Sequence, residues 1–137
     1  MTLVDTGPLV ALFDPRDRQH ARCRKTLASI REALVTTVPV LTEVFHMLSP
    51  GSQGAARLRD FVAAQGVSVW FMEARHLDRA FVLMEEYVDH PMDLADASLI
   101  AAAEALDTRA VFTIDRRDFA TYRIRRGHRH YAVEIVG

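Results

Sequence analysis

The chain has 137 residues, 50% of them hydrophobic and 26% charged, with a formal net charge of −1 at pH 7. These values exclude a disordered or fibrous chain, and composition alone does not mark a nucleic-acid binder. One cysteine, Cys23, excludes an intramolecular disulfide and a Cys-based zinc cage, and no apolar run is long enough to span a bilayer. The length suits one domain over residues 1–137. With no signal-like start, the expected location is the cytoplasm.

Leu3-Val4 is a short apolar run that meets Asp5-Thr6-Gly7-Pro8, and Leu9, Val10, Leu12 and Phe13 follow at helical spacing. Strand, turn and helix are predicted in that order. Asp17 to Arg31 reads as an amphipathic helix feeding a second strand, Leu34 to Thr37, and Pro39 suits the first turn of a helix to about Leu48. Ser49-Pro50-Gly51-Ser52 breaks the chain before a helix from Ala55 to Ala64, and Val67 to Phe71 is β-rich. Glu73 to Val88 is a further amphipathic helix, stopped at His90-Pro91 because the residue before proline avoids helical geometry. Asp93 opens a helix to Leu106, and Ala110 to Ile114 and Tyr131 to Ile135 read as the last two strands. Alternation of this kind predicts a three-layer α/β/α fold around a mostly parallel sheet of about five strands, since parallel neighbours need crossover helices.

Such sheets place functional groups beyond the carboxyl ends of their strands. Asp5 follows the first strand, Glu43 lies early in the helix after the second, Asp96 is in the first turn of a helix, and Asp115 ends the strand at Ile114. Each has a plain alternative. Asp5 also suits a helix N-cap, Asp93 and Asp96 have capping spacing, Glu43 also fits a solvated surface, and Asp115 also fits an exposed turn. Asp96 shares an otherwise apolar stripe with Ile100 and Ala103, where a buried charge needs a partner. Carboxylates about 5 Å apart repel by roughly 1 to 3 kcal/mol per pair, so a converged set of four approaches ~10 kcal/mol. That rivals the stability of a domain. Convergence would therefore demand divalent cations or partial protonation, and an all-oxygen donor set selects Mg²⁺ or Mn²⁺ over zinc.

Sixteen arginines stand against the single Lys25, and six of them lie between Arg116 and Arg129. Arg116, Arg117, Arg123, Arg125 and Arg126 are candidates for contacts with phosphates of a polyanion, and a solvated loop is the equal alternative. His20, His46, His76 and His90 read as surface or packing residues.

Val4-Asp5-Thr6-Gly7-Pro8-Leu9, Thr42-Glu43-Val44, Leu94-Ala95-Asp96-Ala97-Ser98-Leu99-Ile100-Ala101 and Thr113-Ile114-Asp115-Arg116-Arg117-Asp118-Phe119 together resemble the PIN-domain family, and within it VapC toxins of toxin–antitoxin pairs. The likeness covers nearly the whole chain in order. It implies strand order 3-2-1-4-5, a metal and catalytic site on Asp5, Glu43, Asp96 and Asp115, and Mg²⁺-dependent endonucleolysis of RNA. Thr6 and Thr113 become expected polar supports, Asp93 a second-tier candidate, and Asp118 either a structural residue or one that supports a ligand from behind. The resemblance also implies a homodimer silenced by a VapB-type antitoxin. The rival reading is an inactive PIN-like module that binds RNA or a protein, which usually lacks one or more of these acids.

Overall fold

The computed structural model describes all residues 1–137. In chain order the elements are β1 (Thr2–Val4), α1 (Thr6–Phe13), α2 (His20–Ser29), β2 (Leu34–Thr37), α3 (Val38–Leu48), α4 (Gln53–Ala63), β3 (Ser68–Trp70), α5 (Ala74–Glu86), α6 (Leu94–Leu106), β4 (Ala110–Phe112), α7 (Arg116–Thr121), β5 (Arg123–Arg126), β6 (Arg129–Ala132) and β7 (Glu134–Val136). Five strands form one sheet in the order β3-β2-β1-β4-β7, and every pairing in it is parallel. Right-handed crossovers then put α1 to α4 on one face, where the chain steps from β1 outward to β3, and α5 to α7 on the other. This is the expected three-layer α/β arrangement, with its order reversing between β1 and β4.

The helix starts follow from local chemistry. Asp5, Thr37, Ser52 and Asp93 each accept a backbone N–H of the first turn of α1, α3, α4 and α6, and proline stands at the start of α3. Nearly every residue from Ala95 to Ala103 is buried, because α6 packs between α5 and the sheet strands β1 and β2. Leu3, Val4, Leu9, Leu99, Ile100, Val111, Phe112 and Phe119 join one buried apolar cluster beneath the carboxyl ends of the strands. At about 25 cal/mol per Å² of buried apolar surface, this cluster is what holds β1 and β4 side by side.

One expectation and one of two alternative readings need correction. The segment Tyr131 to Ile135 is not one strand: β6 pairs antiparallel with β5, and β7 leaves after Val133 to pair with β4. The backbone N–H of Glu134 donates to the carbonyl of Arg109, and the two side chains form an ion pair at 2.7 Å, which fixes the new partner. Residues 116–126 are not a loop either. They form the short helix α7 and then β5, which packs along α6.

Candidate active site

Asp5 extends the β1–β4 pairing by one residue, its N–H donating to the carbonyl of Phe112 at 2.9 Å. The carboxyl of Asp5 is therefore fixed where the strand order reverses, and it is buried. Its Oδ1 accepts from the N–H of Thr6 and its Oδ2 from the hydroxyl of Thr113, both at 2.8 Å. Thr113 also accepts the N–H of Asp115 at 3.0 Å, so one hydroxyl ties the ends of β1 and β4 together. The Thr6 hydroxyl points to α3, donating to Oε1 of Glu43 at 2.8 Å.

Asp93 is the N-cap of α6, its Oδ1 accepting from the N–H of Asp96 at 2.8 Å, and Asp96 returns a long capping bond to the N–H of Asp93. Asp115 caps α7 by accepting from the N–H of Asp118 at 3.1 Å. Capping and clustering thus coexist in Asp5, Asp93, Asp96 and Asp115. The positive ends of α1 and α6 face the acids they carry, which offsets part of their repulsion.

Electrostatics record how closely the acids are gathered. Burial pushes Asp5 up from 3.8 to about 6 against the two hydrogen bonds that lower it, with repulsion from Asp115 and Asp93 adding to the rise. Asp96 is pushed up to about 8, by burial first and then by Asp93 and Asp5. Glu43 is raised by burial and then by Asp93 despite its bond from Thr6. Asp115 is raised by burial and by its hydrogen bond with the Asp118 carboxyl. Each predicted acid therefore feels another acid. No three of these side chains close on one point at metal-bonding distance. None of the five acids belongs to any of the ion pairs, which engage Asp14, Glu73, Glu86, Glu104, Asp118, Glu134 and Asp107 instead.

Residues 2–124 match the family described as PIN domain. The chain belongs to the PIN-domain family. Its sequence is 28% identical over 124 residues to ribonuclease VapC26 of Mycobacterium tuberculosis, covering 88% of this chain and 91% of that protein. Among solved structures, the fold is similar to VapC20 of Mycobacterium tuberculosis, a sarcin-ricin loop cleaving toxin. The TM-score is 0.78 at 19% identity, over 86% of this chain and 92% of that one. It is also similar to a chain in a toxin–antitoxin complex from Klebsiella pneumoniae, with a TM-score of 0.68 at 21% identity, over 88% and 92% of the two chains.

At this PIN domain's site Tyr122 escapes sequence reasoning, as do the partners of His90 and Asp118. Tyr122 is fully buried, and its phenol reaches Oδ2 of Asp96 at 3.2 Å. His90 is not a plain surface residue: its Nε2 lies 2.7 Å from Oδ1 of Asp118, and its ring meets Tyr122 edge-on. Asp118 is held below the usual carboxylate range by its hydrogen bond with Asp115 and then by His90. An aromatic among the charges of Thr121 to Arg123 was the only signal for Tyr122, and it does not name a partner.

The arginines divide. Arg123 donates to the carbonyls of Ala120, Thr121 and Tyr122 and so closes the end of α7. Arg126 pairs with Asp107 at 2.9 Å and lies over the Tyr131 ring. Arg116 donates to the carbonyl of Gly137. Arg117 and Arg125 are exposed and have no ion-pair partner. The largest cavity, about 490 Å³, is lined by α1, α2 and α4 residues such as Phe13, Arg24 and Phe61 and holds none of the acids. A smaller one beside Glu43 is lined by Val38, Pro39, Thr42, Leu94 and Ala95.

Proposed function

We propose that this single PIN domain, residues 1–137, is a Mg²⁺-dependent endoribonuclease and the toxin of a VapBC toxin–antitoxin pair. The observation that carries the reading is the set of acids around Asp5, two of them pushed up to about 6 and about 8, without one cationic side chain in an ion pair among them. Uncompensated charge of this kind is costly unless a ligand supplies the opposite sign. The donors are all hard oxygens, which fits Mg²⁺ with Mn²⁺ able to substitute, held by Asp5, Glu43, Asp96 and Asp115 and flanked by Asp93. When bound, such an ion activates water and neutralises phosphodiester oxygens.

The chain's own residues prepare that chemistry. Thr113 and Thr6 hold Asp5 and Glu43 in place by donating to their carboxylates, so neither acid must reorganise when charge arrives. The N-terminus of α6 adds positive potential toward an incoming phosphate. Arg117, on α7 directly after the Asp115 cap, supplies a free guanidinium for a flanking phosphate, with Arg116 beside it. Arg123 and Arg126, by contrast, are committed to the fold, so their contribution to RNA is indirect.

The named ribonuclease relative and the similarity to toxin structures support RNA as substrate and a VapB-type antitoxin as partner. A homodimer is part of the same reading, and exposed Phe71, Phe81, Val82 and Val88 around α5 offer apolar surface for it. No helix is long and apolar enough to cross a membrane. The test is cleavage of single-stranded RNA with Mg²⁺, stopped by EDTA, leaving 5′-phosphate and 3′-hydroxyl ends. A 2′,3′-cyclic phosphate would mean that the RNA 2′-hydroxyl is the nucleophile, and the reading would fail. Expression alone should be toxic, and co-expression with the cognate antitoxin should relieve it.

A further inference from the structure

The β5–β6 hairpin begins at the acidic site and ends far from it. Tyr122, immediately before β5, touches Asp96 near the start of α6; the N–H of Arg125 donates to Oε2 of Glu104 at 2.9 Å; and Arg126 pairs with Asp107 beyond the last turn. The strand thus runs along α6, and the stretch of that helix from Asp96 to Asp107 spans about 16 Å at about 1.5 Å per residue. At the far end a two-residue turn, Gly127-His128, with Gly127 at φ 60, closes the hairpin.

The charges on this hairpin are unusual for a purely structural element. Arg126 stands directly opposite Arg129, and Arg125 opposite His130. Like charges across a strand pair destabilise it, so this pairing works against the hairpin. Arg126 is fixed by Asp107 and by the Tyr131 ring, whereas Arg125 and Arg129 enter no ion pair and are exposed together with His128 and His130. The PIN match ends at residue 124, the second residue of β5.

We propose that the hairpin is a distal phosphate-binding arm, in which Arg125 with His130 on one face and Arg129 on the other contact the RNA backbone about 15 Å from the acidic cluster. The proposal rests on the nuclease reading for the identity of the polyanion. With phosphates roughly 3.4 Å apart along a stacked strand, the arm engages RNA about four nucleotides from the scissile bond. Arm and catalytic cluster then act on the same RNA only when it is long enough to reach both.

The test measures binding of the full-length protein, without divalent metal so that nothing is cut, to single-stranded RNAs of about two and about twelve nucleotides. The double variant Arg125→Ala/Arg129→Ala is expected to bind the longer RNA about tenfold more weakly, with its log–log salt slope reduced by about 1.4, and the shorter RNA unchanged. Arg18→Ala/Arg22→Ala, which removes the same charge from exposed positions around α2, controls for net charge and is expected to change neither. Equal losses for both RNA lengths, equal losses in the control, or tighter binding of duplex DNA than of RNA would overturn the arm. If the wild-type protein cleaves RNA but binds the longer RNA no better than the shorter, the arm fails and the nuclease reading survives. If the length dependence is present but no metal supports cleavage, the arm survives and the nuclease reading fails.

Discussion

The phenol oxygen of Tyr122 stands 3.2 Å from Oδ2 of Asp96 and 3.3 Å from the carbonyl of Pro91. Its ring is held edge-on by Tyr87, Phe119 and His90, so the hydroxyl has little freedom to leave the carboxylate. Burial, and then the nearby Asp96 carboxylate, push the phenol well above its ordinary value, which keeps it a hydrogen-bond donor. Tyr122 is thereby a positioning residue for Asp96. Tyr122→Phe keeps the packing and deletes only the bond, and partners of this kind typically contribute 10- to 100-fold in metal affinity. Calorimetric titration with Mn²⁺ is expected to show a loss of about tenfold with the melting temperature nearly kept. An unchanged Mn²⁺ affinity would show that Asp96 is positioned by α6 alone.

Asp5 and Asp96 make stability depend on pH in a defined direction. Both carboxyls sit above their ordinary 3.8 when folded, so the native protein holds protons that the unfolded chain has already lost. Stability of the metal-free protein is therefore highest near pH 4 for these two groups and falls as pH rises toward about 8. For Asp5 the displacement to about 6 corresponds to about 3 kcal/mol lost across that window. Chemical denaturation in EDTA at several pH values checks this, and a stability that rises from pH 5 to 8 would contradict the clustered acids.

Removing one acid should separate stability from catalysis. Asp96→Asn deletes repulsion with Asp93 and Asp5 while retaining an oxygen for the Tyr122 hydroxyl. The metal-free variant is expected to melt a few degrees higher than the parent, corresponding to about 1 kcal/mol or more, and to lose most RNA cleavage. Mg²⁺ should raise the melting temperature of the parent much more than that of the variant, because only a folded site binds the ion. A variant less stable than the parent in EDTA would argue against repulsion as the main feature of this site.

Thr113 serves two acids with one hydroxyl, donating to Asp5 and accepting from the N–H of Asp115. Thr113→Val preserves the shape of this fully buried position and breaks both bonds. Leaving a buried carboxyl and an amide short of partners costs about 1 to 3 kcal/mol, so a clear drop in denaturation midpoint is expected even without metal. RNA cleavage should fall more than stability, since Asp5 and Asp115 lose their common tether. Parent-like turnover in a folded Thr113→Val protein would show that the ends of β1 and β4 hold the acids without it.

The order of strands and helices, and the placement of Asp5, Asp96 and Asp115 at strand and helix ends with Glu43 within the helix after β2, were legible in the chain because both are local properties. Apolar spacing reports which face a segment buries, and the residue after a parallel strand lies at the functional edge of the sheet. Capping was equally local, which is why Asp93 reads as a cap from its spacing and is one. Partners were not legible. Tyr122 meets Asp96 across 26 positions and Thr113 meets Asp5 across 108, and no periodicity encodes which distant group a side chain will face. The same limit applies to Tyr131 to Ile135, where β-forming composition was visible but the change of partner at Val133 depended on β4 and β5 being already in place. It applies most strongly to the arginines. Sequence showed a basic segment, but only tertiary contacts, with Asp107, the end of α7 and the chain terminus, decided which guanidiniums were spent on the fold and left Arg117, Arg125 and Arg129 unpaired.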